Sequence, residues 1–198
     1  MEFQILEAAE KLFLEQGFAK TTTGQIANLA ACNQALVHYY YRTKDKLFER
    51  IFDEKIKLLV SNFINVKTEG NTFEERLKVM IESHFEFLEN NPKLPPFIYR
   101  ELSDNLDRAK MLIERIRTYP ENLLTMMKQE LEAEKAKGTI RDIAPIDLII
   151  SIISLNVMPF LMKPIFQFAL NTSDKQIEKI MKNRKKEIVD MVLARLRA

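Results

Sequence analysis

Apolar residues recur along this chain at the spacing that places them on one face of an α-helix. The first stripe consists of Ile5, Ala8, Ala9, Leu12 and Phe13, which lie one or two helical turns apart and would be buried together. Similar stripes continue to the C-terminus. We find no run in which apolar and polar residues alternate as they do in a half-buried strand. The pattern therefore predicts an all-α protein.

Helix-capping residues divide this pattern into separate helices. A Ser or Thr followed three residues later by Glu or Gln can satisfy two free N–H groups at a helix start. Three pairs have this spacing: Thr22 with Gln25, Thr72 with Glu75, and Ser173 with Gln176. Asn33 and Thr43 are further N-cap positions, while Gly17 and Gly138 are expected to end helices. The caps predict three short helices followed by a long one within the first 65 residues.

Prolines predict breaks in the second half of the chain. The segment Asn90–Pro96 reads as a loop, followed by a short helix over 97–102. A helix that begins at Ser103 or Asp104 and reaches Lys137 has to be kinked or divided at Pro120. The next helix begins near Pro145 and is expected to be kinked or broken at Pro159 and Pro164.

Composition agrees with a helical, soluble protein. The 198 residues include only 4 Gly and 7 Pro, which favours long helices over many short strands. The single cysteine, Cys32, excludes an intramolecular disulfide and fits a reducing, cytoplasmic setting. Acidic residues interrupt Met1–Phe13, so it does not resemble a signal peptide. The longest uncharged stretch, Leu148–Met162, is shorter than the roughly 20 residues of a membrane span, and we interpret it as a buried helix.

Charge is distributed unevenly although the net charge is only +2. The segment Gln16–Arg50 carries five basic residues against two acidic ones. This local bias suits a surface that faces DNA, and an ordinary solvated surface would show it as well.

The N-terminal segment resembles the tetracycline-repressor (TetR) family of transcription regulators. The resemblance rests on five blocks: Ile26-Ala27, Ala30-Ala31-Cys32-Asn33, His38-Tyr39-Tyr40-Tyr41, Lys44, and Leu47-Phe48. The preceding residues, 5–22, are similar to the first helix of that family and the turn after it. Two positions depart from the family pattern, because Ala31 replaces a turn glycine and His38 replaces a tyrosine.

The resemblance implies a helix-turn-helix DNA-binding domain over residues 1–46 and a helical ligand-binding and dimerisation domain over 47–198. The second helix of such a motif reads base edges in the major groove. Gln34 can pair with adenine, and Ala35 and Leu36 can contact a thymine methyl group. Thr22 and Thr23 at a helix start, and Lys44, suit phosphate contacts. The aromatic block completes the predicted DNA surface with His38, Tyr39 and Tyr40, whereas we expect Tyr41 to pack in the core.

The larger domain is expected to hold an effector pocket. Pockets are lined mostly by apolar and aromatic side chains, and the alternative for each candidate is ordinary core packing. The apolar candidates are Phe63, Phe85, Leu88, Phe97, Met111, Met126, Met127 and Phe160. Asn156, alone in an apolar helix, would either orient a ligand or bond a neighbouring helix.

The last helix carries a second apolar stripe, which is either intramolecular core or a dimer interface. Its members are Ile177, Ile180, Met181, Ile188, Met191 and Val192. The resemblance favours a homodimer, because the last two helices of the family pair with their mates, and a two-fold dimer matches a palindromic DNA operator.

Catalytic and metal-binding motifs are missing from the sequence. The two histidines, His38 and His84, form no zinc or di-iron pattern, and no phosphate-binding glycine loop or nucleophile motif occurs. We therefore expect no enzyme activity, metal or cofactor. The expected partners are double-stranded DNA, a small-molecule effector and a second copy of the chain, with no membrane. The alternative is a helical ligand-binding or interaction protein that has lost sequence-specific DNA binding.

Overall fold

The computed structural model of the protein describes residues 1–64, 72–117 and 123–197. These residues form helices and no strand, with one isolated backbone bridge between Ile140 and Arg197. In chain order the helices are α1 (Glu2–Lys20), α2 (Thr23–Leu29), α3 (Gln34–Tyr41), α4 (Lys44–Ile64), α5 (Phe73–Asn90), α6 (Leu94–Asp104), α7 (Leu106–Arg117), α8 (Leu123–Ala136), α9 (Pro145–Ala169) and α10 (Asp174–Leu196). The all-α prediction is confirmed.

The capping residues define the predicted helix starts. The Thr22 hydroxyl accepts from the Gln25 backbone N–H at 3.2 Å, and the Gln25 side chain accepts from the Thr22 N–H at 2.9 Å. Thr72 and Glu75 make the same reciprocal pair at the start of α5. Local side-chain chemistry therefore specifies these boundaries without help from the rest of the fold.

Gly17 breaks α1 without ending it. Its φ of 82° is positive, and helical hydrogen bonding resumes after it and continues to Lys20. A side chain at this position would be strained by the backbone and would also meet Arg100, whose Nε lies 2.5 Å from where a Cβ would stand. The predicted stop is thus a kink that turns the last residues of α1.

The predicted loop over Asn90–Pro96 is shorter than expected. Helix α6 already begins at Leu94 and contains Pro95 and Pro96 in its first turn. Proline is tolerated there because the first N–H groups of a helix have no intrahelical acceptor. Pro120 lies outside the described residues; α7 ends at Arg117 and α8 begins at Leu123, and the predicted break at this proline stays a prediction.

The chain separates into two compact units. The first contains Met1–Val60 and Pro96–Ile116, and the second contains Ser61–Pro95 and Arg117–Ala198. The core of the first unit is aromatic: Phe48 packs edge-on against Phe13 at 5.1 Å and stacks on Phe52 at 5.5 Å. The predicted division at residues 46 and 47 stays a prediction.

Helix α10 contributes most of its apolar stripe to the core of the second unit. Ile177, Met181, Ile188 and Val192 are each no more than 5% exposed within one chain. A residue that is already buried has no surface left to bury against a second copy. The assignment of these four residues to a dimer interface is therefore corrected to intramolecular core, whereas Ile180 and Met191 remain 39% exposed.

Helix α9 is less buried than its sequence indicated. By length and composition alone it is apolar enough to cross a membrane, and only 33% of its most apolar window is buried. Ile146, Ile150 and Ile153 project an exposed row at intervals of four and three residues, with 45%, 53% and 38% exposure. The interpretation of the central stretch of α9 as a buried helix is therefore wrong for this face.

Candidate DNA-binding and effector sites

Helices α2 and α3 form the helix-turn-helix of the first unit. The turn passes through Ala31, which has a φ of 51°, and α3 begins where the Asn33 side chain accepts from the Leu36 N–H at 2.9 Å. Val37 and Tyr41, one turn apart, are buried and fix α3 to the unit. Their burial orients the opposite face of α3 toward solvent, and the expectation that Tyr41 packs in the core is confirmed.

The solvent-facing side of α3 carries most of the predicted DNA contacts. Gln34, Ala35 and His38 are exposed, and Tyr39 and Tyr40 are 71% and 38% exposed. The two tyrosine rings meet edge to face at 5.2 Å. An aromatic side chain this exposed contributes little to the core, so its surface is available for a partner.

Two hydrogen bonds hold polar side chains at this surface. The Gln34 side-chain amide donates to the Thr23 hydroxyl at 2.6 Å, which joins the start of α3 to the start of α2. His38 Nδ1 lies 3.1 Å from the Arg42 carbonyl oxygen. Because that oxygen can only accept, Nδ1 carries a proton and donates it to Arg42.

Lys44 is bound within the protein in a way the sequence did not indicate. Its ammonium donates to the carbonyl oxygens of Phe18 and Thr21 at 3.0 and 2.9 Å and lies 4.0 Å from the centre of the Phe18 ring. These carbonyls are at the C-terminal end of α1, where a cation is favourable. Two of its three donors are therefore occupied, and a phosphate contact through the third stays a prediction.

A buried carboxylate supports the same end of α1. Glu101 of α6 is 2% exposed and accepts from the Phe18 N–H at 3.1 Å. Its other oxygen is paired with the Arg108 guanidinium, which also stacks over the rings of Phe18 and Phe48. Arg100 donates to the Phe13 carbonyl at 3.0 Å. We call Arg100, Glu101 and Arg108 the α6–α7 clamp.

The sequence analysis missed the α6–α7 clamp. Its residues are charged side chains on amphipathic helices, which ordinarily indicate a solvated face. Only the tertiary structure shows that Glu101 is buried against the break at Gly17, some 80 residues earlier in the chain.

The predicted effector residues fall into different parts of the structure. Phe85, Leu88, Met127 and Phe160 belong to one apolar cluster of the second unit, where the Phe85 and Phe160 rings are 5.0 Å apart. Phe97 and Met111 belong to the first unit; Phe97 is buried, 6.0 Å from the rings of Phe48 and Phe52. The side chains of Phe63 and Met126 lie outside the described residues. A pocket role stays a prediction for each of these residues.

Asn156 bonds a neighbouring helix. Its side-chain nitrogen lies 3.0 Å from the Ile81 carbonyl oxygen and 3.0 Å from His84 Nδ1, both on α5. Asn156 is fully buried and His84 is 1% exposed. Burial lowers the pKa of His84 to about 3, because the charged ring would lose its hydration. One of the two predicted roles of Asn156 is thus observed, and the ligand role stays a prediction.

Two family models match the chain. The model described as bacterial regulatory proteins of the tetR family matches residues 5–51, and the tetracyclin repressor-like C-terminal domain matches residues 74–192. The second match alone covers more than half of the chain and includes α5 through most of α10.

Individual relatives are similar along most of their length. The probable HTH-type transcriptional regulator YttP of Bacillus subtilis (strain 168) is 25% identical over 163 residues, which cover 80% of this chain and 76% of that protein. The fatty acid metabolism regulator protein of the same organism is 23% identical, with 68% and 70% covered. The ketosteroid transcriptional regulator KstR2 of Mycobacterium tuberculosis has the same fold, with a TM-score of 0.70, 16% identity, and 100% and 95% covered. The chain belongs to the TetR family of helix-turn-helix, DNA-binding transcription regulators.

Proposed function

We propose that this regulator is a repressor that a small apolar or amphipathic effector releases from a palindromic operator. The exposed face of α3 carries this proposal, because Gln34, His38 and Tyr39 have no role in the core and present hydrogen-bonding and aromatic groups to solvent. Gln34 suits an adenine edge, and the exposed His38 ring can form a hydrogen bond with a base or a phosphate. Catalysis is no part of this proposal.

A homodimer is the form in which the protein would read a palindrome. The exposed row Ile146, Ile150 and Ile153 on α9, with Ile180 and Met191 on α10, is the apolar surface that we assign to a second copy. An exposed apolar row along one face of a helix is a feature of protein interfaces, and a two-fold axis places the same face of each copy against the other. Coverage by a mate also explains an apolar helix in a family of soluble cytoplasmic proteins.

Effector control follows from the geometry that a palindrome requires. Two recognition helices must lie about 34–36 Å apart to enter successive major grooves. An effector that binds better to a conformer with another separation lowers DNA affinity by linkage. Helix α4 is the natural lever, since it begins in the first unit and ends in the second. Two of the similar proteins are named a fatty acid metabolism regulator protein and a ketosteroid transcriptional regulator, and these names refer to apolar compounds, which supports an apolar effector here.

The first test is selection of bound duplexes from a random library at physiological salt. We expect a palindrome whose half-sites are about one helical turn apart. Failure of a folded dimer, freed of bound small molecules, to enrich any sequence would contradict sequence-specific binding. Gln34→Ala should relax the preference at one position of each half-site, and equal weakening of all sites would refute base reading by Gln34.

The second test concerns the effector and the direction of control. Anisotropy titrations of the selected duplex would be repeated with a medium-chain fatty acid, its coenzyme A thioester and a steroid. A repressor should lose affinity with one of these classes, and a reporter with the operator overlapping its promoter should then be switched on. Tighter DNA binding with the compound would mean that the effector promotes binding.

A further inference from the structure

The side-chain oxygen of Asn156 is a polar atom of the second unit that the described residues leave unexplained. The Ile81 carbonyl can only accept, so it fixes the amide with its nitrogen toward α5 and its oxygen on the other side. Asn156 is 0% exposed. Its Oδ1 accepts no hydrogen bond from any residue that the structure describes.

His84 does not donate a hydrogen bond to Asn156 Oδ1 through Nδ1, which is the ring nitrogen that faces Asn156. The amide nitrogen of Asn156 carries only hydrogens, so His84 Nδ1 accepts from it at 3.0 Å and the ring proton is on Nε2. Burial keeps the ring neutral, with a pKa of about 3. The same surroundings would penalise any other charged group that entered them.

Apolar side chains lie within about one turn of the pair on the same two helices. Ile81, Phe85 and Leu88 on α5, and Ile152 and Phe160 on α9, belong to the same buried cluster. A buried amide oxygen without a donor costs the free energy of its lost hydration, and native proteins rarely keep such groups unless a ligand or an ordered water completes them.

We propose that Asn156 Oδ1 accepts a hydrogen bond from the hydroxyl group of an uncharged, largely apolar effector that binds between α5 and α9. The proposal rests on the proposed function and makes it more specific, because it names the polar group of the effector and its anchor. The apolar side chains around the pair would contact the body of the molecule. A molecule of the same shape without the hydroxyl would leave the amide oxygen unsatisfied and would bind more weakly.

Calorimetric titration of the full-length protein with decanol and with decyl methyl ether tests this assignment. The two compounds share the decyl chain and one oxygen atom at its end, and only the alcohol donates a hydrogen bond. The native protein should bind the alcohol about tenfold more tightly than the ether, as one additional hydrogen bond provides. In Asn156→Leu, which removes the acceptor at similar volume, this preference should disappear. The control Ser154→Ala, at an exposed position of the same helix, should retain it.

Three results would overturn the proposal: equal binding of alcohol and ether by the native protein, binding of neither, or an unchanged preference in Asn156→Leu. The comparison of alcohol and ether binding by the native protein tests the proposal even if Asn156→Leu does not fold. Titrations of the operator duplex with the same compounds test the Asn156 anchor and effector-controlled repression separately. If another effector class releases the operator while these results are negative, effector control stands without this anchor. If decanol binds through Asn156, and neither decanol nor any compound of the second test changes the operator affinity, the anchor stands and effector-controlled repression fails.

Discussion

The backbone of Ala31 is held in a conformation that its side chain disfavours. The residue lies in the turn between α2 and α3 with a φ of 51°, where a Cβ crowds the backbone and costs about 1–2 kcal/mol. Alanine stands at this position where the TetR family pattern has glycine, and the cost of the replacement depends on the sign of φ. The structure gives the positive sign, so this turn stores strain.

Replacing Ala31 with glycine should stabilise the DNA-binding unit. We expect Ala31→Gly to raise the free energy of unfolding by about 1 kcal/mol, because relief of strain exceeds the added freedom of the unfolded chain. Urea denaturation followed by circular dichroism would measure it. The matched control, Ala35→Gly in the first turns of α3, should destabilise the protein. Loss of stability in Ala31→Gly would show that the turn does not strain this residue.

Lys44 can be tested for two roles that give different readouts. If its third donor contacts a phosphate, Lys44→Ala should reduce the slope of log affinity against log salt by about 1 per half-site. If Lys44 only binds the Phe18 and Thr21 carbonyls, the slope should stay the same while the unfolding midpoint falls. We expect Lys44→Ala both to reduce the salt slope and to lower the unfolding midpoint. An unchanged slope would show that Lys44 does not contact a phosphate.

At the scale of helices, the features that depend on residues close in the sequence, such as the helix starts, were predicted well. The starts of α2, α3 and α5 follow from side chains that bond the backbone three residues away, and such bonds need no distant partner. The exposed row on α9 and the burial of α10 were not predictable in this way. Both depend on which helices pack together, and an apolar residue fits either a core or an interface.

The same distinction applies to the sites. The DNA-facing side of α3 was predicted from the resemblance to the TetR family, and the burial of Val37 and Tyr41 leaves that side exposed. The role of Glu101 could not be predicted, because its hydrogen-bonding partners lie on α1 and α7. Its neighbours in the sequence are those of an ordinary surface residue. Residues that are close in sequence are therefore the part of this site that sequence reasoning recovers.

The α6–α7 clamp should contribute strongly to the stability of the first unit. We expect Glu101→Gln to lower the free energy of unfolding by about 3 kcal/mol, because it leaves the largely buried Arg108 guanidinium without its counter-charge. The control Asp107→Asn breaks the exposed pair with Lys110 and should leave the midpoint nearly unchanged. Equal effects of the two substitutions would contradict a structural role of the clamp.

At the scale of the whole protein, stability should fall in acid because His84 is buried without charge. The unfolded chain takes up a proton near pH 6.5, and the folded chain does so only near its pKa of about 3. Between these values the unfolded state binds more protons, so this residue destabilises the fold by about 1.4 kcal/mol for each unit that the pH falls. His84→Asn, which keeps an acceptor for Asn156, should lower the slope of stability against pH by this amount. The same slope in both proteins would show that His84 is protonated in the folded state.

The exposed apolar face of α9 should control both the oligomeric state and DNA binding. A lysine at Ile150, which is 53% exposed in one chain, would have to be desolvated at an interface with a second copy, so Ile150→Lys should sediment as a monomer at concentrations where the native protein is a dimer. The control Ile113→Lys makes the same change at a position of similar exposure on α7, and that variant should remain dimeric. A monomer also loses the gain in affinity that comes from joining two half-site contacts. Ile150→Lys should therefore bind a single half-site as the native protein does and lose most of its additional affinity for the palindrome. If this variant remained a dimer, the interface would have to lie elsewhere on the molecule.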